Sequence, residues 1–195
     1  KSNSKKLIQK KPEKIAGKSI NYKESKVNNV KEKHKFDIFG LLRKKNLEKP
    51  IIQNIELGKP FLGICLGLHL LFDKSFENGE HKGFGLIPGN VVKFKNSDNG
   101  GGGNQPKLKI PHMGWNRIRA RKEVPVLKGL PDNTYMYFVH SYYVVPDRCD
   151  VVATETEYGG TFVSMISVDN IFAMQFHPEK SQRYGLMILK NFGEL

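Results

Sequence analysis

The chain has 195 residues, 38% of them hydrophobic, which is enough for one domain with a sizeable core. Its formal net charge of +13 is uneven, because residues 1–35 hold twelve lysines against three glutamates. Two cysteines exclude a disulfide scaffold, no apolar run approaches the ~20 residues that span a membrane, and no apolar signal core precedes a small-residue cleavage site.

Residues 1–35 contain no arginine, one glycine (Gly17) and no apolar run longer than two residues. So polar a segment buries too little surface to offset its ordering entropy, and it is expected to be a disordered tail or an aberrant N-terminus. The alternative is attraction to nucleic acid or an acidic partner. Beyond Tyr22 no aromatics interleave with the lysines, and no recognition motif is visible, so no nucleic-acid or membrane partner is expected. The missing arginines weaken a transit-peptide reading. The chain opens on Lys1 rather than Met, as a fragment or piece of a longer protein would. The cytoplasm is the expected compartment, with a plastid as the alternative.

Residues 38–57 predict one or two amphipathic helices, with Ile38, Leu41, Leu42, Leu47, Ile51, Ile52 and Ile55 on the apolar side and Pro50 as an interruption. Residues 60–64 are almost wholly apolar and predict a buried, parallel strand. Residues 66–76 predict a helix, and Val91–Phe94 a strand. Asn96 to Pro106, with glycines at 100–103, reads as a loop insertion, since no Gly-Lys-Ser/Thr follows. Strands and turns are expected at 108–118 and 135–145, a strand end and hairpin turn at 154–160, and strands at 162–168 and 171–176. Residues 181–192 predict a terminal helix that packs through Leu186, Ile188, Leu189 and Phe192. These alternating elements indicate an α/β layered domain. No metal or cofactor is called for, and Cys149, after a turn-like Pro146-Asp147-Arg148, has no assigned role.

Chemistry concentrates in two segments. Phe61-Leu62-Gly63-Ile64-Cys65-Leu66-Gly67-Leu68-His69 is a strand, a cysteine between two glycines, and a helix start, which is how a nucleophile elbow reads. Gly63 and Gly67 are expected to leave space that a Cβ would fill, and the following helix to favour the Cys65 thiolate. The bland reading is a small buried cysteine in the core. The second segment, Ile171 to Phe176, runs into His177-Pro178-Glu179. In an extended chain residues two apart share a side, so Glu179 is expected to reach the His177 imidazole and fix its tautomer. Nucleophile, base and orienting carboxylate make the triad of acyl-transfer chemistry.

With Cys65, His177 and Glu179 in place, the chain resembles the class I glutamine amidotransferases. Within them it is similar to the glutaminase subunits (HisH type) of imidazole glycerol phosphate synthase, which serve histidine biosynthesis. The segments that carry this are Gly83 to Gly89, Ile110-Pro111-His112-Met113-Gly114-Trp115-Asn116, Tyr137-Phe138-Val139-His140-Ser141-Tyr142-Tyr143 and Gln175 to Gln182 with Gly185-Leu186 and Leu189 to Phe192. His112 to Asn116 argues against an amidotransferase serving another pathway. The resemblance implies a three-layer fold with a flavodoxin-like open sheet over residues 36–195, lacking its N-terminal strands here. It implies hydrolysis of glutamine to glutamate through a Cys65 thioester, with His177 shuttling the proton. It further implies passage of the ammonia to a cyclase partner with a (β/α)8 barrel. Leu66 would supply an oxyanion N–H, His69, Ser141 and Tyr142 would contact substrate, and Trp115 and Tyr137 would face the cyclase rather than the core.

Two positions depart from the family. Glutamine is usual where His69 stands, and the family's N-terminal strands end in a Pro-Gly-Val-Gly-like loop that supplies a second oxyanion N–H. Residues 1–35 contain neither a first strand nor that loop. One missing donor costs roughly 100- to 1,000-fold in turnover. The alternative to a full glutaminase is therefore a glutaminase-like module that binds the cyclase and turns over poorly.

Overall fold

A computed structural model describes residues 37–95 and 108–195. The tail and the glycine-run loop lie outside the described residues, and so do the readings placed on them.

Two short helices come first, α1 (Ile38–Lys44) and α2 (Glu48–Glu56). Asp37 caps α1 by accepting a hydrogen bond from the Gly40 N–H at 3.0 Å. Pro50 does not separate them. It lies in the first turn of α2, where its missing N–H leaves no intrahelical bond unmade. The main sheet follows as β1 (Phe61–Ile64), β2 (Phe72–Ser75), β3 (His81–Lys82), β4 (Ile87–Lys93), β6 (Arg119–Ala120), β8 (Tyr142–Pro146), β9 (Val152–Glu157), β10 (Thr161–Val168) and β11 (Ile171–Met174). A separate ribbon pairs β5 (His112–Arg117) with β7 (Tyr135–His140). The remaining helices are α3 (Leu66–His69) and α4 (Gln182–Gly193).

The main sheet runs β1-β11-β10-β8-β4-β2-β3, with β9 and β6 joined through β10. β1 pairs with β11 in parallel, as its apolar run predicts, and β2 pairs with β4 in parallel. The other pairings are antiparallel, and register shifts between Val163 and Ile166 mark where β10 bends against β9. The strand period of two divides the core. Phe172 and Met174 of β11 join Phe138, Met136 and Ile188 on the face covered by the ribbon and α4. Ile171 and Ala173 join Ile55, Leu68 and Leu71 on the face covered by α2 and α3. This is the layered α/β arrangement expected from the sequence.

Two helix readings are corrected. The helix predicted over 66–76 ends at His69, and Phe72–Ser75 is a strand. The carbonyls of Leu70 and Leu71 accept from Phe84, Leu86 and Ile87 at 2.7, 2.9 and 3.0 Å, so they are withdrawn from any helical ladder. In α4, Ile188 is buried but Leu186 is 61% exposed, on the outer side of the helix. Asn170 fixes the start of β1: its side chain donates to the Ile55 and Lys59 carbonyls at 2.9 and 2.7 Å, and its carbonyl accepts from Phe61 at 2.8 Å.

Candidate active site

Cys65 occupies the turn between β1 and α3 with φ +49° and ψ −99°, a backbone state that L residues rarely adopt. Close packing holds it there. The Cys65 N–H donates to the Met174 carbonyl at 2.7 Å, and the Cys65 carbonyl accepts from Leu68 at 3.0 Å. A Cβ on Gly63 would come within 2.9 Å of both Ala173 Cβ and the Gly67 backbone, so Gly63 must be glycine for the turn to close. Gly67 has no such constraint, since its Cβ would meet nothing within 4 Å.

The thiol is not favoured as thiolate in this resting geometry. Burial pushes it up to about 11, Glu77 and Glu179 add to the rise, and only a Gln175 side-chain hydrogen bond and the Leu66 N–H act downward. A four-residue α3 has too few aligned peptides to reverse a burial penalty of this kind. Leu66 nonetheless directs its N–H at the sulfur, where an oxyanion donor is expected to lie.

His177 follows β11 and is tied to the ribbon by its N–H, which donates to the Tyr137 carbonyl at 2.8 Å. Ser181 Oγ donates to the His177 carbonyl at 2.7 Å and accepts from the Tyr137 N–H at 2.9 Å. The His177–Glu179 contact forms at 2.7 Å between Nδ1 and Oε1. Its route differs from the sequence expectation: Pro178–Lys180 is a 3-10 turn, and the turn rather than strand alternation brings the carboxylate back. With Nδ1–H donated to Glu179, Nε2 holds the lone pair. Among the described residues Nε2 is buried and has no hydrogen-bond partner.

His69 is 2% exposed and has both ring nitrogens engaged, Nδ1 with Glu77 Oε2 at 3.2 Å and Nε2 with Gln175 Oε1 at 3.0 Å. Ser141 lies between β7 and β8, its carbonyl accepting from Phe94 at 3.0 Å, and Tyr142 packs on the cluster that contains Leu68. Trp115 is 46% exposed and meets Tyr137 edge-on, with ring centroids 6.0 Å apart. Two features escaped the sequence reading. Gln175, fully buried, reaches Cys65 Sγ at 3.7 Å, and its only trace is an amide in an otherwise apolar run. His112 and His140 form a buried pair, Nδ1 to Nε2 at 2.9 Å, behind the Ser141–Tyr142 turn.

The model of the class-I glutamine amidotransferases matches residues 39–194. The chain belongs to this family. It is 52% identical over 147 residues to the imidazole glycerol phosphate synthase subunit HisH of Syntrophotalea carbinolica, covering 75% of this chain and 70% of that protein. It is 51% identical over 156 residues to the same subunit of Aquifex aeolicus, covering 80% and 70%. Within the amidotransferases it therefore stands with the HisH subunits. A solved glutamine amidotransferase of Thermotoga maritima shares the fold at 16% identity and a TM-score of 0.52, covering 82% of this chain and 60% of that one. Another solved glutamine amidotransferase gives 17% and 0.54, covering 80% and 73%. No described helix is long and apolar enough to cross a membrane, and no described group of three or more His, Cys, Asp or Glu could hold a metal ion.

Proposed function

We propose that this amidotransferase chain hydrolyses glutamine to glutamate and ammonia and delivers the ammonia to a (β/α)8 cyclase that makes imidazole glycerol phosphate. The observation that carries the reading is the His177 ring. One nitrogen is fixed by Glu179 at 2.7 Å, and the other is buried and unpartnered, in a chain whose elbow presents Cys65.

The chemistry follows from the resting thiol. Because Cys65 holds its proton, His177 Nε2 takes it as the sulfur attacks the side-chain amide carbon of glutamine. The C=O π electrons move to oxygen, toward the Leu66 N–H. When the carbonyl re-forms, the C–N bond breaks and the imidazolium proton leaves with the nitrogen as ammonia. Water then attacks the thioester, gives its proton to His177, and releases glutamate, with the proton returning to sulfur. Glu179 keeps the imidazole in the required tautomer throughout. Ser141 and Tyr142 are the proposed substrate contacts beside the elbow. Trp115 and Tyr137, on the ribbon that anchors His177, are the proposed cyclase contacts, since an exposed tryptophan set edge-on against a half-buried tyrosine suits an interface better than a core.

The test measures glutamate release with a matching cyclase present, together with pull-down of that cyclase by the parent chain, Trp115→Ala and Tyr137→Ala. Glutamate release and weakened capture by both variants support the reading. Capture without release identifies the weakly active module. Unchanged capture by the single and paired variants removes Trp115 and Tyr137 from the interface.

A further inference from the structure

The strands β1 and β11 fix where the chain leaves the sheet, at Met174. His177 lies beyond that point, so the aim of its ring depends on what holds the turn Pro178–Lys180. The hold comes from Tyr137. In an antiparallel ribbon, opposed residues alternate between pairs that exchange both backbone bonds and pairs that exchange none. Tyr137, opposite Trp115, is of the second kind and turns its N–H and C=O away from β5. Its carbonyl accepts from the His177 N–H at 2.8 Å. Its N–H does not return to the His177 carbonyl. The Ser181 hydroxyl stands between them, accepting from the Tyr137 N–H at 2.9 Å and donating to the His177 carbonyl at 2.7 Å.

The direction of these bonds is fixed. A peptide N–H only donates and a carbonyl only accepts, so the hydroxyl hydrogen goes to His177 and a lone pair to Tyr137. Ser181 is 1% exposed, so water does not share either bond. On the other side α4 closes against the turn. The Gly185 N–H donates to the Ser181 carbonyl at 3.1 Å. A Cβ on Gly185 would overlap the Pro178 carbonyl oxygen and come within 2.8 Å of Ser181 Cβ, so only glycine lets the helix sit this close. The His177 carbonyl also accepts from the Lys180 N–H at 3.0 Å, but that bond lies inside the turn and does not touch the ribbon. Tyr137 thus holds the turn at two points, the His177 N–H and the Ser181 hydroxyl.

We propose that Ser181 is a positioning residue for the glutaminase reaction, its hydroxyl being the second tether that aims the His177 imidazole at Cys65. This rests on the reading of His177 as the base. Without the hydroxyl, the nearest acceptor left for the Tyr137 N–H is the His177 carbonyl. The turn pivots about the remaining His177 N–H bond to close that gap and carries the ring with it. Glu179 rides on the same turn, so the His177–Glu179 pair swings as one and the tautomer is kept. Proton transfer suffers, and glutamine binding does not.

The experiment compares the parent, Ser181→Ala and Ser181→Thr, each with a matching cyclase. Competent sites are counted by labelling Cys65 to completion with a diazoketone analogue of glutamine, and turnover is expressed per counted site. A side chain that only stabilised the fold would lower the count and leave the rate per site alone. The tether predicts the reverse for Ser181→Ala. Its kcat per site falls roughly 10- to 100-fold, as a misplacement of about 1 Å can cause, while KM for glutamine and the midpoint of the kcat–pH profile hold. Ser181→Thr keeps the hydroxyl and most of the parent rate. Parent kcat per site in Ser181→Ala, a loss carried by KM, or a Ser181→Thr variant no faster than Ser181→Ala overturns the proposal. Hydrogen exchange in the unsubstituted protein needs neither variant nor substrate. The Tyr137 and His177 amides should exchange slowly and together, and a Tyr137 amide that exchanges like an exposed one overturns the tether. If both amides are protected but the parent releases no glutamate with its cyclase, the glutaminase reading fails and the tether stands.

Discussion

The Cys65 N–H donates to the Met174 carbonyl at 2.7 Å. This bond joins the elbow to the end of the strand that leads into His177, so nucleophile and base rest on one pair of parallel strands, β1 and β11. Their relative position is set by backbone register, which side-chain substitutions at the site leave in place. Function can therefore be dissected residue by residue.

Replacing His177 costs more than replacing Glu179. His177 moves the proton, a role worth about 100- to 10,000-fold, while Glu179 orients the ring from a position where its side chain is 43% exposed and shared with water. Single-turnover thioester formation in His177→Ala and Glu179→Gln checks this. Equal losses would give Glu179 a larger role than orientation.

Gly63 and Gly67 flank the same cysteine but respond differently. Gly63→Ala forces a Cβ to 2.9 Å from Ala173 Cβ and the Gly67 backbone, which costs about 1–3 kcal/mol and displaces the turn. Gly67→Ala meets nothing within 4 Å and lies in a helix, where alanine is favoured. Denaturant midpoints should fall for the first and hold or rise for the second.

Much of this site was legible in the sequence. The apolar run before Cys65 and the spacing of His177 and Glu179 are local signals, and both point to contacts the structure contains. The end of the elbow helix was not legible. Leu70 to Phe72 suit a helix as well as a strand, and the choice is made by residues 84–87, which take the carbonyls of Leu70 and Leu71. The ionisation state of Cys65 was missed for a related reason: a short helix after a cysteine suggests thiolate, but burial is a property of the assembled layers. Gln175 meets Cys65 across 110 positions of chain, a pairing no local pattern encodes.

The His112–His140 pair makes stability depend on pH. Asn116 Nδ2 donates to His112 Nε2 at 3.2 Å, His112 Nδ1–H donates to His140 Nε2, and His140 Nδ1–H donates to the Tyr142 carbonyl. Every bond uses a neutral ring. Burial lowers His112 to about 4 and His140 to about 3, against 6.5 in the unfolded chain. A depressed folded value means the unfolded chain binds protons more readily, so the contribution is fully present above pH 6.5 and is lost as pH falls toward 4 and then 3. Proton NMR should show neither ring titrating near 6.5, and urea unfolding should weaken below that pH. A ring that titrates near its ordinary value would contradict the neutral chain of bonds.

The central claim is that Cys65 carries the glutamyl group, and acid-quench trapping tests it most directly. Carbon-labelled glutamine is mixed with the chain and its cyclase, the reaction is stopped in acid, and the labelled peptide is sequenced. The account predicts label on the peptide that contains Cys65, and neither label nor glutamate release from folded Cys65→Ala. Label on another residue, or glutamate released by Cys65→Ala at the parent rate, would contradict it.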